Sequence, residues 1–461
     1  MPVTAIDSDG SNTFPSVFVP PREPLPLWRF VPTFIRNPLR AIPVSVYTEP
    51  MVAPLHLKGR FAWITAPPLV EQVLLKEAEK FRKSDPEDRV FGPIIGGGIL
   101  TAHGQEWRWQ RRTLAPLFRH AGLLELMPAM REATEARIAS WQRAGDGLRA
   151  IDQDMTDLTF DVLTSTIFAG TTTAEREVLK HGIGHYLESS TWEIAYEILR
   201  WRRGLWHPRR RRLELAAAQL RSATEALVER EAANGWRSGG LAAQLGRARD
   251  PDSGEAMSHA VIAANLGTFA AAGHETTAKA LTWALFLLAR RPEWQARIRA
   301  EAESVAGRGP IEAQHIDALE ITRQVFEEAM RLYPPAPVLT RQAVEPVTIG
   351  THHFEAGATI IVPIFAIHRH RKLWSAPDRF DPARFEKARA QSYLRTQYMP
   401  FGFGPRICIG MTFAMIEGTL LLAMLVRAME FSTRRDHLPE PLSRVTLRPR
   451  GGMRLQVVMR K

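Results

Sequence analysis

The sequence predicts a mainly α fold with a minor β region, built as a single large domain. Three observations carry that reading. Helical periodicity runs with little interruption from about residue 103 to Gly307 and returns from Ala313 to Leu332. β-Branched residues punctuated by Gly350 and Gly357 fill the span from Val344 to His368, as short strands would. Across all 461 residues no shift in composition marks a linker or a second domain.

The elements follow in order. Residues 1–27 form a Pro-rich arm (Pro15, Pro20, Pro21, Pro24, Pro26) with no basic segment leading into an apolar one, so a cytoplasmic protein is expected, with 28–461 as its main domain. Leu55 to Thr65 alternates around Lys58-Gly59 like a hairpin, and Pro67-Pro68 open a short helix through Phe81. Residues 84–102 read as a loop, with Gly92, Gly96, Gly97 and Gly98 among Phe91, Ile94, Ile95, Ile99 and Leu100. Helices are expected over Trp107–Phe118, Leu123–Ala144, Asp152–Phe168, Thr173–Trp201, Arg212–Asn234, Ser258–Ala289, Pro292–Ala306 and Ala313–Leu332. The last of these stops at Pro334-Pro335. A final helix from Ile409 to Glu430 precedes a strand-like tail. The most apolar stretch, Ala260 to Ala289, is broken by His274, Glu275 and Lys279, which suits a buried helix rather than a membrane span.

Composition excludes several classes of function. A single cysteine, Cys408, rules out an intrachain disulfide framework and any multi-cysteine zinc or iron–sulfur site. No G-x-x-x-x-G-K occurs, and no G-x-G-x-x-G follows a strand, so neither a P-loop nor a dinucleotide fold is present. The formal charge of +11 suits docking of an acidic protein carrier. The basic stretch from Trp201 to Arg212 reads as solvated helix ends, with weak membrane-surface contact or capture of an anionic substrate as alternatives; no nucleic-acid partner is expected.

The segment Phe401-Gly402-Phe403-Gly404-Pro405-Arg406-Ile407-Cys408-Ile409-Gly410 carries the strongest chemistry. Two glycines and a proline make a tight loop that presents the cysteine just before a helix, where backbone N–H groups and the helix dipole are expected to lower a thiol pKa. A thiolate is what a haem iron needs when dioxygen is to be cleaved. Gly410 would let a flat macrocycle lie close to the backbone.

This segment resembles the haem-binding signature of the cytochrome P450 family, and other family features follow in order from about Leu55 to the C-terminus. The resemblance implies the cytochrome P450 fold, haem b (iron protoporphyrin IX) as cofactor, Cys408 as the iron ligand, and Phe401, Arg406 and Gly410 against the haem. Glu328 and Arg331 share a helix face at i, i+3. Ahead of Leu332-Tyr333-Pro334-Pro335 they resemble the family's buried Glu–Arg pair, whose third member is matched by Arg384 in Phe380-Asp381-Pro382-Ala383-Arg384-Phe385. Ala383 departs from the family's usual Glu. The implied role is structural, holding the loop that carries Cys408.

Ala271-Ala272-Gly273-His274-Glu275-Thr276-Thr277 lies midway along the longest helix, its small residues open to a flat ligand. The Thr276 hydroxyl is placed to bond back to the Ala272 carbonyl and loosen the turn. Glu275 and Thr276 resemble the family's acid–alcohol pair, which implies catalytic proton delivery. In His103-Gly104-Gln105-Glu106-Trp107-Arg108-Trp109-Gln110-Arg111-Arg112, Trp107 and Arg111 stand one turn apart. Similarity to the family gives them, with Arg406, Arg341 and more weakly His103, to the haem propionates. By the same analogy Phe91, Ile95, Ile99, Phe269, Ala272, Val338, Leu339, Val445 and Thr446 wall the substrate pocket.

The implied activity is a haem–thiolate monooxygenase that inserts one atom of dioxygen into a lipophilic molecule. No fused flavin or ferredoxin domain fits in the chain, so a ferredoxin or flavodoxin-type donor with its reductase is expected. The alternative is a haem-binding gas sensor or electron-transfer protein without turnover, and the acid–alcohol pair argues against it.

Overall fold

The computed structural model describes residues 18–84, 91–93, 95–169, 171–173, 175–180, 182, 210–238, 240–434 and 437–460. Its principal helices are α1 (Leu27–Arg36), α2 (Gly104–Leu114), α3 (Met127–Ala144), α4 (Ile151–Thr166), α5 (Arg210–Ala233), α6 (His259–Ala289), α7 (Pro292–Ala306), α8 (Glu320–Leu332) and α9 (Met411–Ala428). The strands are β1 (Met51–Val52), β2 (Phe61–Ile64), β3 (Phe81–Arg82), β4 (Gly147–Ala150), β5 (Leu339–Ala343), β6 (Val347–Ile349), β7 (His352–Phe354), β8 (Thr359–Val362), β9 (Met429–Ser432), β10 (Pro441–Ser443), β11 (Leu447–Pro449) and β12 (Arg454–Met459).

α6 is the axis of the molecule. Ser258 caps its first turn by accepting the Val261 N–H, and the 31 residues that follow are apolar nearly all round. Such a helix must be enclosed, and α4, α5, α8 and α9 pack against it. Trp283 lies buried in α6, stacked on Tyr333 with ring centroids 3.9 Å apart, and its indole N–H donates to the Leu447 carbonyl at 3.0 Å. α9 is long and apolar enough to cross a membrane by composition, but 67% of it is buried inside the protein.

The sheets are small and lie to the side of the helices. The largest has the order β1-β2-β8-β5-β3; β2 runs parallel to β8 and the other pairs are antiparallel. β4, β12 and β9 form a three-stranded antiparallel sheet, and β6–β7 and β10–β11 are two-stranded pairs.

Several sequence expectations change, among them the helix expected through Phe81, whose α-helical part ends at Glu71 and which gives way to β3 at Phe81. The hairpin expected over Leu55–Thr65 is absent: Leu55–Leu57 form a single 3₁₀ turn, and β2 pairs with Met51–Val52 and with β8 instead. α1 begins at the last residue of the Pro-rich arm, with Pro26 at its N-cap, and carries Pro32 within it. The expected helix Ala313–Leu332 divides into a 3₁₀ segment, Ala313–Ala318, and α8. The helix expected over Thr173–Trp201 lies for the most part outside the described residues, as does the basic stretch from Trp201 to Arg209.

Candidate active site

A cavity of about 1030 Å³ opens between α6, the loop before α9, β5 and the 91–100 segment. Cys408 sits in its wall. The loop that carries it is closed by three backbone bonds: Gly402 N–H to the Met399 carbonyl, Ile407 N–H to that of Gly404, and Cys408 N–H to that of Phe401. Gly404 has φ +78°, and a Cβ there would run into the Leu74 carbonyl, so no other residue fits. At Gly410 a Cβ would meet only the Cys408 sulfur, at 3.9 Å. The chain itself therefore leaves room at Gly410, and what a side chain would obstruct is the cavity.

Cys408 is exposed and lines this cavity. Burial pushes its pKa up; the Gly410 N–H and the charges of Arg111 and Lys83 oppose this without overcoming it. The lowered thiol expected from the loop geometry is thus corrected. A thiolate here needs a cation beside it, which a metal centre bound in the cavity would supply.

Six cationic side chains line the cavity: Arg60, Arg444, Arg111 from α2, Arg341 from β5, Arg406 from the cysteine loop, and Lys83, which the sequence reading missed. Lys83 follows β3 and donates from Nζ to the Leu100 carbonyl at 2.9 Å. Arg341 donates to the Thr340 carbonyl and Arg406 to the Ala102 carbonyl, at 2.8 and 2.9 Å. Burial lowers the pKa of Arg111, with the Cys408 sulfur opposing. Trp107 and His103 are not among the lining residues. The Trp107 ring instead underlies the Arg406 guanidinium, 4.1 Å from its centroid, and His103 precedes the first turn of α2. Trp107 orients a cation that lines the cavity.

α6 forms the opposite wall. Ala271, Ala272, Gly273, Thr276 and Thr277 face the cavity. The Thr276 hydroxyl donates to the Ala272 carbonyl at 2.8 Å, as expected, and lies 3.2 Å from that of Gly273. Glu275 is buried beside it. Its Oε1 accepts the Thr446 hydroxyl at 2.9 Å and stands 3.6 Å from Arg448, while Oε2 has no hydrogen-bond partner. Thr446 was expected only in the pocket wall; it lines the cavity and holds Glu275 as well.

Phe401, Phe91, Ile99, Phe269, Val338, Leu339 and Val445 also line the cavity. Ile95 does not: it is fully buried in the main core, because the chain turns inward there to seat the loop on α6. Gly98 has no room for a Cβ against Thr268 and the Ala264 carbonyl. The Ile99 N–H donates to Asn265, which bonds Gln110, which in turn holds the Gly97 carbonyl. Neither Asn265 nor Gln110 was singled out from sequence.

Glu328 and Arg331 are fully buried and doubly bonded, at 2.6 and 2.8 Å. Arg384 Nε lies 3.6 Å from Glu328, which also accepts the Asp381 N–H. Arg331 donates further to the carbonyls of His368, Pro377 and Arg379. The His368 ring completes the link to the cysteine loop by accepting the Met399 N–H at Nε2, 3.0 Å away. The buried triad therefore holds the Cys408 loop through a histidine that sequence reasoning did not find.

The sequence model of the cytochrome P450 family matches residues 28–456. The chain belongs to the cytochrome P450 family. Among relatives, it is 32% identical over 405 residues to cyclooctatin synthase of Streptomyces melanosporofaciens, covering 87% of this chain and 86% of that protein. It is 28% identical to a cytokinin hydroxylase of Arabidopsis thaliana, covering 85% of this chain and 77% of the other. In fold it resembles the crystal structure of the cytochrome P450DA haem domain, with a TM-score of 0.76 at 24% identity, covering 87% and 88% of the two chains. As a cytochrome P450 monooxygenase it takes haem b as its cofactor. The cavity fits that group: one thiol, cations suited to propionates, and a wall of small residues on α6.

Proposed function

We propose that this cytochrome P450 hydroxylates or epoxidises a lipophilic small molecule, with electrons from a separate ferredoxin or flavodoxin-type donor and its reductase. The observation that carries the reading is the apolar wall of the cavity beyond the cysteine, built by Phe91, Ile99, Leu100, Phe118, Phe269, Val338, Leu339 and Val445. Relatives support it: one is named a cytokinin hydroxylase, another, from Sus scrofa, a taurochenodeoxycholic 6 alpha-hydroxylase. The net charge of +11 suits an acidic electron carrier.

When bound, haem b supplies the activation of dioxygen. Cys408 would hold it by the sulfur, and Arg111, Arg341, Arg406 and Lys83 would hold its propionates. The small residues of α6 leave space above Cys408, and the aromatic and aliphatic wall excludes water and orients the substrate. Thr276 holds a proton at Oγ1 beside the cavity, and Glu275, one residue earlier, brings protons to it.

The test is a spectral titration of the purified ferric protein with fatty acids, terpenoids and steroids. A saturable shift to high spin with one class identifies the substrate chemistry. A haem-loaded protein that shifts with polar ligands and with none of these overturns the lipophilic reading.

A further inference from the structure

Of the six cations that line the cavity, Arg60 and Arg444 are left over once the other four are set against haem propionates. Arg60 is exposed, so water screens its charge. Arg444 is half-buried in the turn between β10 and β11, directly before Val445 and Thr446, and all three line the cavity.

This turn is fastened on both flanks. Asn37, fully buried at the end of α1, donates to the Pro441 carbonyl at 2.9 Å and to Glu440 at 3.0 Å. Its Oδ1 accepts the Ser443 N–H at 3.2 Å. Beyond the turn, Thr446 is bonded to Glu275, and the Leu447 carbonyl accepts the Trp283 indole N–H. The Arg444 N–H closes the turn itself on the Thr446 carbonyl at 3.0 Å. The guanidinium is therefore carried on a fixed base between α1 and α6.

The arginines around it are matched to carboxylates. Arg40 and Arg450 both lie on Glu440, at 2.8 and 3.0 Å, and Arg448 stands 3.6 Å from Glu275. Arg444 has no such partner among the described residues; it donates only to the carbonyls of Ser443 and Arg36, each at 3.2 Å. Burial and the like charges of Arg448 and Arg450 draw its pKa down, and no carboxylate opposes them. An arginine nevertheless keeps its charge and has five N–H donors to place. A half-buried cation beside two like charges is costly to hold, and an anion arriving in the cavity would offset that cost.

We propose that Arg444 receives a carboxylate of the substrate, so that this enzyme acts on a lipophilic acid, an apolar body that ends in one carboxylate. The proposal rests on the lipophilic reading of the cavity and narrows it. The planar guanidinium offers parallel N–H groups to both oxygens of a carboxylate, and the two single charges balance. A phosphate monoester, with nearly two charges, would leave one unmatched. The apolar body lies against Phe269, Val338, Leu339 and Val445. Arg444 thus determines specificity and takes no part in the oxygen chemistry.

The test uses the haem-loaded ferric protein and matched ligands: hexadecanoic acid, a diterpenoid acid and a steroid acid, each against its own primary amide. The amide keeps the shape and removes the charge. Spin-state titration gives a Kd for each ligand, and equilibrium dialysis gives it where binding leaves the spin state as it was. In the wild type, at least one acid is expected to bind on the order of tenfold more tightly than its amide. Arg444→Gln should bring that ratio to within about twofold, and Arg444→Lys, which keeps the charge and loses the fork, should restore part of it. Arg444→Met, which keeps much of the apolar stem, replaces the Gln variant where that one fails to fold.

Equal binding of acid and amide in the wild type overturns the proposal and leaves the lipophilic reading intact. An acid preference that persists in Arg444→Gln or Arg444→Met also overturns it, because another group then holds the carboxylate. So does loss of haem from a folded Arg444→Gln, which would assign Arg444 to a propionate. Failure of every acid and amide to bind by either method discards both readings.

Discussion

His368 shows what a single buried side chain contributes here. Its Nε2 accepts the Met399 N–H, which leaves Nδ1 to carry the proton toward the Arg331 carbonyl 3.2 Å away. The ring must therefore be neutral. Burial, with the charge of Arg331 beside it, pushes its pKa down to about 3 from an ordinary 6.5. The sign of the pH effect follows. Above pH 6.5 neither folded nor unfolded chain binds a proton at this site; below it the unfolded chain does and the folded chain does not, until about pH 3. Folding should lose on the order of 2 kcal/mol from this residue by pH 5. Denaturant unfolding at pH 7 and pH 5 measures it, and His368→Gln, which keeps an acceptor and does not titrate, should shrink the difference by that amount. Equal pH dependence in the two proteins would remove His368 as the cause. From sequence this histidine was one of 14, with nothing to mark it, because its importance lies in a contact with Met399 across 31 residues.

At the scale of elements, the cysteine loop and α8 form one unit. Glu328 accepts from two of the three Arg331 nitrogens and from the Asp381 N–H, and Arg331 spends its remaining donors on three carbonyls of the 368–379 segment. Glu328→Ala would leave two buried guanidiniums without a carboxylate, a loss of about 3–5 kcal/mol. The damage should appear first at the loop. The Soret-to-protein absorbance ratio after gel filtration is expected to fall sharply while far-UV circular dichroism stays near wild type; a variant that retains full haem would separate the triad from the loop. α1 teaches the converse. It carries Pro32, which forfeits only a bond to the carbonyl of Trp28, a residue 73% exposed. Phe30, Val31, Phe34 and Ile35 meanwhile gain a place in the cavity wall. Tertiary burial outweighed local propensity there.

For the whole molecule, the cavity of about 1030 Å³ lies between the helical body and the largest sheet. Its occupant is therefore part of the fold's cohesion. Removing haem should lower the melting temperature, on the order of 5 °C or more, and open apolar surface to a hydrophobic dye; an apoprotein melting with the holoprotein would show that the surrounding elements stand without it.

The sequence by itself determined the mainly helical architecture, the cysteine loop, the Glu328–Arg331 pair, and Thr276 with its bond to Ala272. Each of these depends on spacings of ten residues or fewer, where helix period and turn chemistry leave few arrangements. Only the tertiary structure decided what joins distant segments: Thr446 and Arg448 on Glu275, Asn265 on the 97–99 loop, Lys83 in the cavity, Ile95 out of it, and a thiol raised by burial. Hydrogen bonding and desolvation depend on which atoms are near in space, and folding brings together residues 173 positions apart at Arg448 and Glu275 and 404 apart at Asn37 and Pro441.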